Sequence, residues 1–248
     1  MLTALRLPAR SFSVVDMFSA EELAAMGAAI HETVDSVAKA LRTPYEESAP
    51  ALDVFHRLQS IALRNPVYAT AFVSAVFADA HRDPRIAFLA DDGRLQKAVA
   101  ELCGDFEPGG VTVRVRLNIP AMTRKRHGWH SDVALTHAVR PDSTCHTVLA
   151  ACWIPLADVD ENNGGLELVT TPLAQPIPHE RTPAGAYFIP DAALEGLPRQ
   201  PVAVRAGQAA IIDRFTPHRS LPNTSDRVRW SVVAWVKGSL MRDGRQGA

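Results

Sequence analysis

The sequence has few cysteines, no excess of charge of either sign and no long hydrophobic run. Its three cysteines, Cys103, Cys145 and Cys152, are odd in number, and their spacing matches neither a disulfide framework nor a zinc ribbon. Lysine and arginine total 26 against 27 acidic residues, so the net charge of −1 gives no overall field to attract nucleic acid or an anionic membrane. We therefore expect reduced thiols, a cytoplasmic location and a small-molecule partner.

Membrane and secretion signals are also missing. No stretch approaches the roughly 18 uninterrupted apolar residues that a membrane-spanning helix needs. Residues 1–15 interrupt their apolar residues with Arg6 and Arg10 and have no small-residue cleavage site, so they do not resemble a signal peptide. We expect one folded domain over residues 1–248.

The first part of the chain has helical periodicity. Ser19, with Glu22 three residues later, forms a capping box, and apolar residues then recur at helical spacing as far as Leu41. This pattern predicts a helix over about residues 20–41. Further helices are predicted over 54–63, after Asn65-Pro66, and over 95–103, so residues 1–105 should be mainly helical.

Short β-rich runs follow Pro108-Gly109-Gly110. The predicted strands cover 111–119, 147–154, 166–170, 202–204, 209–213 and 229–236. No helices alternate with them, which favours an antiparallel sandwich or jelly roll over a doubly wound parallel sheet. Residues 106–240 should form this β core, with the helical part packed against one face.

A metal site is indicated by His130 and Asp132, which are two residues apart and would project from one face of an extended strand. His218 lies 88 residues later and could supply a third ligand. Two histidines and one carboxylate leave three coordination positions open, as an iron(II) oxygenase requires for a co-substrate and oxygen. The tripeptide alone is weak, since a histidine near a strand end is more often a satisfied polar residue.

Arg229 strengthens this interpretation. It follows His218 by 11 residues and opens an apolar strand, where an arginine is costly unless it meets an anion. Its guanidinium would fit the far carboxylate of 2-oxoglutarate. The alternative is an ordinary ion pair with Asp226 or Asp213.

Together these motifs resemble the phytanoyl-CoA dioxygenase superfamily over residues 111–236, and residues 116–132 are most similar to its ectoine hydroxylase branch. The family pattern is His-x-Asp, a strand ending in an Asn-Gly turn, a glycine hairpin, and His-x-Ser-x-x-Asn with an arginine 11 residues after the histidine. In this sequence it reads His130-Ser131-Asp132, Trp153-Ile154-Pro155-Leu156 through Asn163-Gly164, Arg205-Ala206-Gly207, and His218-Arg219-Ser220-Leu221-Pro222-Asn223 with Arg229.

The resemblance implies a double-stranded β-helix of the jelly-roll or cupin-like type. It also implies iron(II) held by the catalytic residues His130, Asp132 and His218. The expected reaction uses O2 to decarboxylate 2-oxoglutarate to succinate and carbon dioxide while a second substrate is hydroxylated; desaturation or ring formation stays open. By the same matching, Asn118 and Ser220 are expected to contact 2-oxoglutarate, as Arg229 does.

Several residues near the motif are candidates for substrate recognition. Arg116 shares a strand face with Asn118, and a basic loop follows, so an anionic substrate group is a possible partner of Arg116 with Arg124 or Arg126. The alternatives are partly buried salt bridges on the strand and a solvated loop. Two further positions, where the ectoine hydroxylase branch has aromatic residues, are not aromatic in this chain; we therefore expect a wider pocket that does not accept ectoine. These positions are Thr136 and Val233.

Two other functions compete with a metabolite hydroxylase. A non-catalytic metal-binding or sensory β-barrel would keep the ligands, but it would have no need of an arginine for a 2-oxo acid. A hydroxylase of protein side chains would need a peptide groove, which the sequence does not reveal.

Overall fold

The computed structural model describes residues 9–125, 127–133, 147–183 and 185–241, with only the backbone of 123–125. The α-helices of the described chain are α1 (Ala20–Ala40), α2 (Tyr45–Ser48), α3 (Val54–Arg64), α4 (Pro66–Asp79), α5 (Pro84–Ala87) and α6 (Gly93–Cys103). Short 3-10 turns cover Ala80–Arg82, Phe88–Ala90, Pro120–Lys125 and Asp191–Leu194. None of the helices in these ranges is long and apolar enough to cross a membrane.

The helices that the sequence predicted begin at the predicted residue or, for α6, two residues earlier; the short helices α2 and α5 were not predicted. At the start of α1, the Ser19 hydroxyl accepts a hydrogen bond from the Glu22 backbone N–H at 3.2 Å, and the Glu22 carboxylate accepts one from the Ser19 N–H at 2.8 Å. These two bonds satisfy backbone donors that have no partner within the helix. Asp53 caps α3 and Asn65 caps α4 in a similar way, with Pro66 in the first turn of α4.

The strands of the described chain form antiparallel sheets. They are β1 (Phe12–Asp16), β2 (Phe106–Asn118), β3 (Thr147–Pro155), β4 (Leu166–Val169), β5 (Glu180–Arg181), β6 (Tyr187–Phe188), β7 (Arg199–Val202), β8 (Gln208–Asp213), β9 (His218–Ser220) and β10 (Arg229–Leu240). The five-stranded sheet has the order β1-β8-β3-β10-β2, the three-stranded sheet has the order β7-β4-β9, and β5 pairs with β6.

The five-stranded sheet buries both faces, and β10 shows how. Trp230 and Val232 belong to a large apolar cluster that they share with the helices. Val233 and Trp235 point to the other face, into a second cluster that includes Leu168 of the three-stranded sheet. A mainly antiparallel β core with helices against one face is thereby confirmed. The second face, between the sheets, is the one that carries the candidate site.

Three of the predicted strands differ from the prediction by several residues: β2 begins earlier, β10 ends at Leu240 and not at residue 236, and β7 is displaced along the chain. Strand β10 has a bulge near Gly238, and its pairing with β2 continues past the bulge to Leu240, which lies opposite Phe106. Strand β2 therefore starts five residues before Val111. The predicted strand 202–204 is instead Arg199–Val202, followed by an isolated bridge between Val204 and Val159.

The part of the chain predicted to be mainly helical also contributes to the sheet. Strand β1 pairs with β8 along its whole length, from Phe12 opposite Ile212 to Asp16 opposite Gln208. Strand β9 was not predicted either. It is only three residues long and begins at His218.

Candidate metal centre and 2-oxoglutarate site

Backbone pairing brings the two distant histidines together. The N–H of His130 donates to the carbonyl of His218 at 3.0 Å, and the N–H of His218 donates to the carbonyl of His130 at 2.8 Å. The two ring centroids are 4.3 Å apart. Two reciprocal backbone hydrogen bonds, as well as packing, therefore fix the position of one imidazole relative to the other.

Both rings are oriented by a carbonyl two residues earlier in the chain. The Nδ1 atom of His130 lies 2.8 Å from the carbonyl oxygen of Gly128, and that of His218 lies 3.0 Å from the carbonyl oxygen of Thr216. An Nδ1–H that donates to these oxygens leaves the Nε2 lone pair of each ring free for a metal. Burial lowers the pKa of His130 well below 6.5, and His218 lowers it further, which favours the neutral form that a metal needs.

Asp132 completes the group. Its carboxylate is almost fully buried and lies 3.8 Å from Nε2 of His218. One ligand atom from each of His130, Asp132 and His218 lies within 4.8 Å of the others. Two imidazoles and one carboxylate at this separation could hold a single divalent ion and leave one side of it open.

Ser131, between two of these residues, is held by a histidine that sequence reasoning missed. The backbone N–H of Ser131 donates to Nε2 of His179 at 2.9 Å, and Ser131 itself is fully buried. His179 comes from the segment that joins β4 to β5. No motif in the sequence links it to the His-x-Asp tripeptide, since the contact exists only in the folded chain.

Arg229 is a buried cation that has no ion pair with an acid in the part of the chain that the structure describes. Its Nε–H donates to the carbonyl of Gly164 at 2.9 Å, and its Nη1 donates to the Ser231 hydroxyl at 2.9 Å. Burial, with a contribution from the nearby Arg116, lowers its pKa to about 10. Within the described chain it forms no ion pair, with Asp213, Asp226 or any other acid. The site thus has a guanidinium without an ion-pair partner among the described residues, and Ser220, two residues after His218 on β9, contacts it.

Two other residues predicted to contact 2-oxoglutarate lie next to Arg229. The Ser220 hydroxyl is 3.5 Å from Nη2 of Arg229. Asn118 lies opposite Arg229 in the β2–β10 register, and its Nδ2 donates to the carbonyl of Leu221 at 3.0 Å. Gly164 packs directly on it, because a Cβ at that position would lie 2.6 Å from Nδ2 of Asn118. Asn118 therefore also fixes the turn whose carbonyl holds Arg229.

Comparison with known proteins identifies the family. Residues 12–231 match the phytanoyl-CoA dioxygenase (PhyH) family. The chain belongs to this family. It is accordingly a 2-oxoglutarate-dependent non-haem iron dioxygenase, with iron(II), 2-oxoglutarate and O2 as its cofactor and co-substrates. The His-Asp-His group and the buried Arg229, which has no ion pair among the described residues, fit these requirements.

Solved structures share the fold of this PhyH chain at low sequence identity. The non-haem monooxygenase ThoJ in its apo form is 17% identical, with a TM-score of 0.53 and coverage of 93% of this chain and 74% of that chain. The apo form of EctD from S. alaskensis is 15% identical, with a TM-score of 0.51 and coverage of 93% and 73%. EvdO2 from Micromonospora carbonacea var. aurantiaca, in complex with 2-oxoglutarate, is 17% identical, with a TM-score of 0.51 and coverage of 95% and 89%. No curated protein matches the chain at a significant level.

The predicted substrate residues of this PhyH protein are only partly described. Arg116 lies on the site face of β2, and its guanidinium carbon is 5.4 Å from the centre of the Phe77 ring. Val233 is on the same face of β10 but is 7% exposed within the cluster between the sheets. The described structure therefore places Arg116 on the strand face that carries the site and Val233 in the apolar cluster between the sheets. Outside the described residues or side chains lie Thr136, Arg124 and Arg126.

Proposed function

We propose that this dioxygenase hydroxylates a small-molecule metabolite and releases succinate and carbon dioxide from 2-oxoglutarate. The observation that carries the proposal is the buried, unpaired guanidinium of Arg229 beside the group His130, Asp132 and His218. A protein that only bound or sensed a metal would have no use for this arginine. Isolating a cation in a protein interior is unfavourable unless an anion completes the site.

Each side chain has a defined task in this proposal. The Nε2 atoms of His130 and His218 and the carboxylate of Asp132 hold iron(II), and the backbone pairing of the two histidines fixes their spacing. When bound, iron with 2-oxoglutarate and O2 supplies the oxidising power for a C–H bond. Arg229 receives the far carboxylate of 2-oxoglutarate through its fork of N–H donors.

The surroundings of Arg229 support that task. Gly164 and Ser231 accept two of its N–H donors and so fix the direction in which the others point. Ser220 supplies a hydroxyl at the edge of the same group, and Asn118 holds the Gly164 turn in place. We assign the predicted contact with 2-oxoglutarate to Ser220 and a supporting position to Asn118. The two facing sheets would then be the double-stranded β-helix that the family resemblance implied.

The test measures succinate formed from 2-oxoglutarate by the iron(II)-loaded protein, together with the gain of one oxygen atom in a panel of metabolites. Alanine at His130, Asp132 or His218 should abolish both. Alanine at His56, an exposed histidine beside Asp53, is the matched control and should leave both unchanged. Full turnover by Asp132→Ala without added halide would contradict the assignment.

A further inference from the structure

Two more arginines lie on the face of the sheet that carries Arg229. In the β2–β10 register, Arg229 is opposite Asn118, Arg116 is opposite Ser231, and Arg114 is opposite Val233. Alternate residues of a strand share a face and lie about 7 Å apart. Asn118, Arg116 and Arg114 therefore form a row along β2 that leads away from the 2-oxoglutarate end of the site.

Few of the guanidinium N–H groups in this row have a hydrogen-bond acceptor. The guanidinium of Arg116 lies between the rings of Phe77 and Trp235, with its central carbon 5.4 Å and 5.2 Å from their centroids. Aromatic rings contact the flat face of a guanidinium and leave the N–H groups at its edge free. Among the described residues, no hydrogen bond or ion pair uses those N–H groups. Within the same described residues, Arg114 donates only to the carbonyl of its neighbour Val113.

Two buried nitrogen atoms beside the arginines also lack partners. Trp235 is 8% exposed, and its indole N–H has no acceptor in the described part of the chain. His81 lies in the 3-10 turn that packs against β2, and its buried Nδ1 is equally without a partner. Buried polar groups are nearly always hydrogen-bonded, so unpartnered buried nitrogens beside two arginines indicate an absent polar group.

The balance of formal charge leads to the same conclusion. The charges of a divalent metal ion and Arg229 are matched by Asp132 and the two carboxylates of 2-oxoglutarate. The charges of Arg114 and Arg116 then remain unmatched, since neither forms an ion pair among the residues that the structure describes. The salt bridges considered for this strand from the sequence are absent there.

We propose that Arg114, Arg116 and Trp235 form the subsite for an anionic group of the prime substrate, a carboxylate or a phosphoryl group. This inference rests on the proposed function, since it assigns Arg229 to 2-oxoglutarate and leaves the other two arginines to the substrate. The substrate class is thereby narrowed to metabolites with an anionic group several ångströms from the carbon that is oxidised.

The test uses proton relaxation by a paramagnetic ion in the metal site. The protein is loaded with Mn(II) and saturated with 2-oxoglutarate, and the methyl protons of added acetate, methylphosphonate or neutral acetamide are measured. Acetate or methylphosphonate, but not acetamide, should show saturable relaxation enhancement. Comparison of the two anions distinguishes a carboxylate subsite from a phosphoryl subsite.

Variants locate the bound anion. Arg114→Gln and Arg116→Gln should each weaken the anion's binding at least about tenfold, as expected for loss of a charge-assisted hydrogen bond. Arg82→Gln makes the same change of charge at an exposed arginine next to His81 and should have no effect. The methylene protons of 2-oxoglutarate, followed in the same samples, report whether each variant keeps an intact cofactor site.

The outcomes separate the two levels of the proposal. The subsite is wrong, and the proposed function stands, if the protons of 2-oxoglutarate show relaxation enhancement but those of neither anion do. The same conclusion follows if both arginine variants bind the anion as the unaltered protein does. An anion that bound only at the metal's open position would bind equally well to both arginine variants. If 2-oxoglutarate itself is not relaxed, the proposed function fails and the subsite fails with it.

Discussion

Replacing Arg229 with methionine should separate cofactor binding from protein stability. Methionine keeps an unbranched apolar stem of similar length and removes the charge and the fork of donors. A buried carboxylate that loses its partner costs about 3–5 kcal/mol, which corresponds to a roughly 100- to 3,000-fold rise in the Kd for 2-oxoglutarate. Metal binding should change little, since the three ligand residues are untouched.

The stability of the protein without 2-oxoglutarate should change much less. The lowering of the Arg229 pKa to about 10 implies that burial and the nearby Arg116 disfavour its charge by about 3 kcal/mol, and methionine removes that penalty. The substitution also leaves the Gly164 carbonyl and the Ser231 hydroxyl without their donor, at about 1–3 kcal/mol each. These effects oppose each other, so the melting temperature without 2-oxoglutarate should move by only a few degrees.

Thermal melting with Mn(II), with and without 2-oxoglutarate, measures both quantities. At a 2-oxoglutarate concentration one hundred times the Kd of the unaltered protein, binding contributes about 2.7 kcal/mol, or roughly 5–10 °C at this chain length. The variant should gain less than about 0.5 kcal/mol. Arg227→Met, at an exposed arginine two residues earlier, is the control and should keep the full gain. An undiminished gain in Arg229→Met, or its loss in Arg227→Met, would refute the assignment.

Three further predictions concern the turn, the buried histidines and the pocket. Gly164→Ala should destabilise the protein by about 2–5 kcal/mol in urea unfolding, because φ is +84° and the new Cβ would clash with Asn118. The control is Gly185→Ala, where φ is +82° but no atom lies near the new Cβ, and it should destabilise the protein by only about 1–2 kcal/mol. Burial lowers the pKa of His130 and His179 in the folded protein, so on acidification the unfolded chain takes up protons first. The urea concentration at the midpoint of unfolding should therefore fall as the pH is lowered from about 7.5 to about 5.5. A midpoint that is constant or rises on acidification would contradict this. Ectoine with iron(II) and 2-oxoglutarate should give no hydroxyectoine above a control without enzyme.

Local sequence signals predicted those elements whose start and burial are set by neighbours in the chain. The capping box at Ser19 and the 3.6-residue periodicity after it predicted α1 to within a residue. Strand β1 had no comparable signal. Its strand character arises from pairing with β8, where Val14 lies opposite Ala210. A strand that depends on a partner almost two hundred residues away cannot be read from a local window.

The candidate site shows the same division. The spacing of His130 and Asp132 and the position of Arg229 were visible in the sequence and led to the correct family. Whether Arg229 pairs with an acid was not visible, because that depends on where the turns place Asp213 and Asp226. The support that His179 gives to Ser131 likewise exists only in the folded chain. Residue type and spacing predicted the chemistry, and the tertiary contacts supplied its surroundings.

The reciprocal backbone hydrogen bonds between His130 and His218 also bear on the thermodynamics of metal loading. The two residues are 88 positions apart, and closing a flexible loop of that length costs about 4 kcal/mol of chain entropy. Because the backbone joins them without any ion, this entropy is lost during folding and not when the metal binds. The apoprotein should therefore stay folded in the presence of a chelator, unlike small zinc domains, and its iron should exchange without unfolding of the chain.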